Sequence, residues 1–158
     1  MNRQHNYQLT VQWTGNTGNG TLNYRGYERS HIIKASNKIE IAASSDPMFR
    51  GDKTKHNPED FLVASISSCH MLWYLHLCSE AGVIVVDYID NATGIIIEDS
   101  LTGIGRFTGV TLNPVVTVTE NSMIEKANEL HKNANRLCFI ANSVNFPVLH
   151  HAVIKVID

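Results

Sequence analysis

Between Asp60 and Glu80 the chain runs for nineteen residues, Phe61–Ser79, without an Asp, Glu, Lys or Arg. Asn57-Pro58-Glu59-Asp60 leads into this run and Gly82 follows it. Asn is a favoured N-cap, Pro at the first helical position loses no hydrogen bond, and an acidic third residue can bond back to the cap. Gly after the last turn supplies the left-handed C-cap position. These signals predict one helix over Pro58–Ala81, roughly 36 Å long at about 1.5 Å per residue. That is also membrane-span length. Four serines between Ser65 and Ser79, with His70 and His76, suit the buried central helix of a soluble domain better than a lipid-facing segment.

Around this helix the pattern is mostly β. Tyr7, Leu9, Val11 and Trp13 alternate with polar residues, the period-two mark of a half-buried strand. A Gly/Asn-rich turn over Gly15–Gly20 precedes short expected strands at Thr21–Tyr24, His31–Ala35 and Lys38–Ala43. Ser44–His56 is a polar connection. Past Gly82, strands are expected at Val83–Tyr88, Ile95–Glu98 and Ile104–Glu120, with Pro114 marking an edge, bulge or bend. Ser122 and Glu125 suit a capping box for a second helix. Its stripe reads Met123, Ala127, Leu130, Ala134 and Cys138, and it is expected to end near Asn142, before Pro147. A last strand spans Ala152–Ile157. Two helices among antiparallel strands, without βαβ alternation, predict a single α+β domain over residues 1–158.

Thirteen Lys and Arg against fifteen Asp and Glu leave a formal charge of −2, which argues against a broad nucleic-acid surface. Lys53, Lys55 and His56 form a short basic cluster, but Asp52 and Glu59 flank it, as in an ordinary solvated loop. Three cysteines do not make a disulfide scaffold, and the opening MNRQHNYQLTVQW lacks a signal peptide's apolar core. The expectation is a cytoplasmic protein with reduced thiols and no membrane partner.

Those thiols are the candidate chemistry. Cys69 lies mid-helix in Ser-Ser-Cys-His-Met, Cys78 nine residues later, and Cys138 at the end of the second helix. At about 100° per residue, Cys78 points to the side opposite Cys69, so Cys138 is the more plausible partner for Cys69. Buried cysteine also serves simply as a small hydrophobe, and that reading stands beside the reactive one. Cys69 is too far from the helix N-terminus for the dipole to activate it; a nearby cation is needed, with Arg50, Arg29, Arg106 and Arg136 as candidates. Glu59 precedes Cys69 by ten residues, about 15 Å along a helix axis. One site holding both requires a second protomer or a broken helix.

The segments NPEDFLVASISSCHMLWYLHLCSEAG (57–82) and LHKNANRLCFIANSVNFPV (130–148), with the opening VQWTGNTGNG, resemble the OsmC/Ohr family of osmotically induced and organic-hydroperoxide-resistance proteins. Cys-His-Met at the first cysteine resembles a less studied branch. The resemblance implies an OsmC-like intertwined homodimer, with antiparallel sheets wrapped around a long central helix and a second one. It implies a thiol-dependent peroxidase acting on organic hydroperoxides, without cofactor or metal, reset by a small-molecule or protein dithiol. The reactive cysteine falls on Cys69, the resolving cysteine on Cys138 and the acid on Glu59. The arginine falls on Arg50, in Phe49-Arg50-Gly51-Asp52, or in a second branch on Arg29 or Arg25. Asn135 departs from the family, where many relatives carry His three residues before the second cysteine.

In the implied cycle Cys69 attacks the peroxide, Cys138 closes a disulfide, Arg50 holds the thiolate form and Glu59 orients the guanidinium. Met71 and Trp73 favour an organic substrate if they line the mouth, although Trp73 fits plain core equally well. Four rival readings apply. Arg50 and Glu59 read also as a surface ion pair and a helix-start residue. Cys69, His76, His131 and Cys138, at two seven-residue spacings, can be drawn as a zinc site. A thiol hydrolase needs His70 or His131 as base beside Cys69. A non-catalytic module of the same fold, binding a hydrophobic ligand or a partner protein, predicts that no cation lies near Cys69 or that the two sulfurs cannot approach disulfide distance. His70 and His76 otherwise read as core or interface residues, and His150-His151 as solvent-facing.

Overall fold

The cap at Asn57 forms. Its side-chain oxygen accepts the Asp60 N–H at 2.8 Å, and the Asp60 carboxylate accepts the Asn57 N–H at 3.2 Å. Helix α1 follows over Pro58–Glu80. At its far end the Gly82 N–H donates to Ser79 and the Val83 N–H to Cys78, with Gly82 at φ 71°. Two adjacent backbone donors turned back onto the last turn satisfy carbonyls that helix geometry would otherwise leave bare.

The computed structural model describes residues 3–157. It falls into two compact units, one ending at Phe61 and the other beginning at Leu62. In the first, β1 (Thr10–Trp13), β2 (His31–Lys34) and β3 (Ile41–Ala43) form an antiparallel meander in that order. The strand expected at Thr21–Tyr24 is absent; the segment belongs to a chain of turns. The local chemistry explains this. The Asn16 side chain accepts the N–H groups of Gly18 and Gly20, and Asn23 caps Arg25, so short polar side chains compete with strand pairing.

The second unit holds β4 (Val85–Asp90), β5 (Thr93–Glu98), β6 (Gly105–Leu112), β7 (Pro114–Val118), α2 (Ile124–Leu137), β8 (Val148–His150) and β9 (Val153–Val156). They build two three-stranded sheets, β4-β7-β9 and β5-β6-β8. The expectation of purely antiparallel sheets is corrected here. β4 and β5 pair antiparallel with β7 and β6, but β8 runs parallel to β6 and β9 parallel to β7. α2 intervenes between β7 and β8, and a long crossover is what a parallel return requires. The single strand expected over Ile104–Glu120 divides at Asn113, whose N–H donates to Asp90 at 2.7 Å and whose side chain donates to the Asn91 carbonyl. Pro114, with no N–H to donate, opens β7.

The Ser122–Glu125 capping box does not form. Ser122 donates instead to Glu120, within a 3₁₀ turn that leads into α2. α2 also ends earlier than its stripe suggests, because Cys138 turns extended at ψ 108°.

Of α1 only Ile66, His70, Tyr74 and Cys78 are buried, one stripe at four-residue spacing, while Leu72 is 63% exposed. The mostly buried helix expected from the missing charges is thus a helix with one covered face. Length and composition alone would also let it cross a bilayer. Tyr74 and Cys78 pack with Val116, Val118, Ala127 and Leu130 in one core cluster, and Ile66 with Val110 and Leu112 in another.

Because the Asn57 side chain satisfies a helix-terminal donor, Asn57→Ala is expected to lower the unfolding free energy by about 1 kcal/mol in urea titration, and Asn57→Asp to retain most of it.

Candidate active site

Cys69 and Cys138 meet in the second unit. Cys69 is half-buried on α1; Cys138 is fully buried at the end of α2. They are free thiols, and Cys69 is near enough to act on the acidity of Cys138. The Cys138 sulfur accepts the Ala141 N–H at 3.4 Å and lies 3.9 Å from the Ile66 carbonyl. Burial pushes this thiol up to about 11, against the opposing pull of the Ala141 N–H; the Cys69 thiol adds to the rise. Cys138 therefore carries its proton at neutral pH. Cys78 stands apart in the core, against the Tyr74 hydroxyl, its acidity weakened by burial.

An aromatic pair follows the two cysteines along the chain. Trp73, one turn beyond Cys69, meets Phe139 edge-on at 5.7 Å, and Phe139 directly follows Cys138 with 65% of its surface exposed. His76 lies on the exposed side of α1 against Trp73, whereas His131 is buried against His70. The four groups of the zinc reading do not converge, and no trio of His, Cys, Asp or Glu frames a metal position among the described residues.

His70 and His131 share a hydrogen bond, Nε2 to Nδ1 at 3.0 Å, with their ring planes parallel to within 6°. Both are fully buried. His131 also stacks on Tyr74 at 3.8 Å, and His150 packs against both imidazoles at 5.7 and 5.9 Å. This corrects the expectation for His150. Strand β8, which the sequence pattern did not reveal, turns Val148 and His150 inward and Leu149 outward, so only His151 is solvent-facing. The hydrogen bond ties each imidazole to the other, and no bond joins either to Cys69 among the described residues, which leaves the hydrolase reading without its base. Asn135, the departure from the family pattern, donates to the Val148 carbonyl and so links α2 to β8.

The first unit holds the other predicted residues. Arg29 is spent on the loop around it: its guanidinium donates to the carbonyls of Tyr27 and Tyr24 at 2.6 and 2.7 Å and lies 4.2 Å from both ring centres. Arg25 is exposed. Arg50 is also exposed, at φ 66°, the left-handed region that non-glycine residues seldom occupy. Its loop is built around Asp46, whose carboxylate accepts the Met48 N–H and whose carbonyl accepts from Phe49 and Gly51. A Cβ on Gly51 would overlap the Ser45 carbonyl, so glycine is required there. Glu59 sits in the first turn of α1 with its Oε2 buried and unpartnered. Arg50 and Glu59 form no ion pair with each other among the described residues.

A family model described as OsmC-like protein matches residues 51–150. The chain belongs to the OsmC-like family. An OsmC-like protein of unknown function from Vibrio cholerae is 30% identical, with a TM-score of 0.84 over 95% of this chain and all of that one. An OsmC-like protein from Mycoplasma pneumoniae shares the fold at 11% identity and TM-score 0.72, over 97% and 99% of the two chains. So does an organic hydroperoxide resistance protein from Bacillus subtilis, at 19% identity and TM-score 0.63, over 96% and 98%. No protein of curated function matches in sequence. Membership and a neighbouring cysteine pair together place redox chemistry within reach of this fold.

The imidazole pair also makes stability depend on pH. Burial depresses His70 from 6.5 to about 4, helped by His150; burial depresses His131 to about 3, helped by His70 and His150. With folded values below the unfolded one, the unfolded chain binds more protons once pH drops below 6.5. The contribution is whole above pH 6.5 and is lost as pH falls toward about 4 for His70 and about 3 for His131. Urea midpoints are expected to fall steadily across that window, and less steeply in His131→Asn.

Proposed function

We propose that this protein is a thiol-dependent peroxidase that reduces organic hydroperoxides through a Cys69–Cys138 thiol/disulfide cycle. The observation that carries this reading is the pairing of a half-buried thiol on α1 with a fully buried one just past the end of α2. The accessible sulfur is the attacker. The Cys69 thiolate takes the outer oxygen of ROOH, the O–O bond breaks, and RO⁻ leaves as ROH with a proton from solvent, so Cys69 becomes a sulfenic acid. The Cys138 sulfur then displaces the hydroxyl from Cys69; its proton leaves with that hydroxyl as water, and a disulfide remains. An external dithiol gives up two electrons and two protons to restore both thiols.

Arg50 is assigned to hold the thiolate and polarise the peroxide, and Glu59 to orient the guanidinium, whose planar fork matches a carboxylate. Arg50 is favoured over Arg29 because the guanidinium of Arg29 is already engaged by two carbonyls. Glu59 brings a buried oxygen that lacks a partner. Since α1 is unbroken from Pro58 to Glu80, a site combining Glu59 with Cys69 draws them from two copies of the chain. The apolar surface left open on α1 and on β5, where Ile95 and Ile97 are each 62% exposed, supports such a homodimer. A reducing compartment such as the cytoplasm keeps the pair ready. The aromatic wall of Trp73 and Phe139 beside the sulfurs supports an apolar R group.

Fully reduced protein mixed with stoichiometric cumene hydroperoxide is expected to consume it rapidly and to yield a Cys69–Cys138 disulfide by mass spectrometry. Cys69→Ser is expected to remove both. Cys138→Ser is expected to reduce one equivalent and stop at a trappable sulfenic acid. Consumption at the Cys69→Ser rate with no disulfide sinks the reading and leaves a binding module of this fold. Phe139→Ala is expected to raise KM several-fold for cumene hydroperoxide and to leave that for hydrogen peroxide unchanged.

A further inference from the structure

The two imidazoles at the centre of the second unit have no place in the cycle above, yet they sit beside it in the chain. His70 follows Cys69 directly on α1, and His131 lies two turns before Cys138 on α2, about 10 Å along the axis. Their hydrogen bond joins the bodies of α1 and α2, and the Cys138 sulfur, just past the end of α2, lies 3.9 Å from the Ile66 carbonyl of α1. Tyr74 and Cys78 of α1 also share an apolar cluster with Ala127, Leu130 and Ala134 of α2, and apolar contacts resist sliding far less than a directional bond does.

The bond also constrains the state of both rings. A neutral imidazole has one donor and one acceptor nitrogen. If His70 Nε2 donates, its Nδ1 is a bare lone pair and His131 Nε2 carries an N–H; if His131 Nδ1 donates, the roles reverse. Those outer nitrogens, His70 Nδ1 and His131 Nε2, are the two that lie buried without a partner. A first added proton therefore settles on an outer nitrogen and keeps the shared bond, but as a buried charge; a second leaves N–H facing N–H.

Among the described residues, no carboxylate is hydrogen-bonded to either imidazole. His150 from β8 and Tyr74 from α1 pack against the pair; Cys78 from α1 and Tyr88 from β4 lie against Tyr74, Lys132 and His151 act on His150, and Asp90 acts on Tyr88. Tyr74 and Tyr88 hold their protons more tightly than free tyrosine because they are buried, so neither supplies an anion.

We propose that His70 and His131 are positioning residues for disulfide closure: their interhelical N–H···N bond sets the register of α1 against α2 at which the Cys69 and Cys138 sulfurs meet. The inference rests on the reading of these cysteines as a thiol/disulfide pair, and not on hydroperoxide as the oxidant. Removing the bond leaves each sulfur in its own helix and lets the two helices shift relative to one another. What falls is the effective concentration of Cys138 toward Cys69.

The test is the equilibrium of the full chain with glutathione at pH 7. Two protein thiols and one glutathione disulfide exchange to one protein disulfide and two glutathione thiols, so the ratio of species gives that effective concentration directly. Mass spectrometry confirms the 69–138 linkage. Two near-isosteric pairs separate the hydrogen bond from packing. Asn at position 131 presents its amide near the place of Nδ1 and Leu does not; Gln at position 70 presents its amide near the place of Nε2 and Met does not. His131→Leu and His70→Met are expected to lower the effective concentration at least tenfold. His131→Asn and His70→Gln are expected to recover it to within about threefold of the wild type.

Folded Leu or Met variants at the wild-type value, or amide variants no better than their apolar isosteres, overturn the proposal. If one apolar variant fails to fold, the other pair decides. If both fail, the amide variants decide alone: within threefold of wild type supports the proposal and tenfold below overturns it. A wild-type chain that forms the 69–138 disulfide with glutathione but ignores cumene hydroperoxide sinks the peroxidase reading and leaves this inference standing. A wild-type chain that forms no such disulfide with glutathione overturns this one.

Discussion

The fold of the second unit depends on a single row of side chains on α1: Ile66, His70, Tyr74 and Cys78, spaced four residues apart and all buried. Ile66 joins the cluster with Val110 and Leu112, while Tyr74 and Cys78 join the one built from β7 and α2. A fully buried aliphatic or aromatic side chain contributes about 1.5–3 kcal/mol, so the row provides a large share of what holds the helix in place. Two of its members are polar. Burying an imidazole without a hydrogen-bond partner is unfavourable, and His131 on α2 is what makes position 70 compatible with a core.

The cysteines stand just beside that row, and this is why their environments differ. Cys69, one residue before His70, is rotated away from the covered face and keeps part of its surface open. Cys138 terminates the buried stripe of α2 and is closed off. An accessible thiol next to a protonated, enclosed one is an asymmetric arrangement, and asymmetry is what separates an attacking sulfur from a resolving one. The packing that excludes water from Cys138 also raises its pKa, so the thiol keeps the proton that a condensation with sulfenic acid must release.

The first unit treats its arginines in opposite ways. Arg29 is enclosed by two tyrosine rings and two carbonyls, and its charge serves the loop. Arg50 is held out on a turn whose backbone is costly, with a left-handed φ and a glycine neighbour that admits no side chain. Such a turn persists because Asp46 and Ser44 tie it down: the Asp46 carboxylate and carbonyl accept backbone N–H groups, and the Ser44 hydroxyl accepts the Asp52 N–H.

The helix α1, its cap at Asn57 and its stop at Gly82 were legible in sequence because each is a local matter of residue type and spacing, and so was the separation of Cys78 from Cys69. The family could be read from motifs that stay contiguous in the chain. Tertiary structure decided the rest. The parallel pairing of β8 with β6 and β9 with β7 joins segments dozens of residues apart, and short apolar runs carry no mark of direction. A missing charge over Phe61–Ser79 announced an apolar helix but not which face is covered, since coverage depends on what packs there. His70, His131 and His150 look alike in sequence as scattered imidazoles. Only the approach of α1, α2 and β8 in space makes them one cluster, because hydrogen bonds and burial act over a few ångströms whatever the distance along the chain.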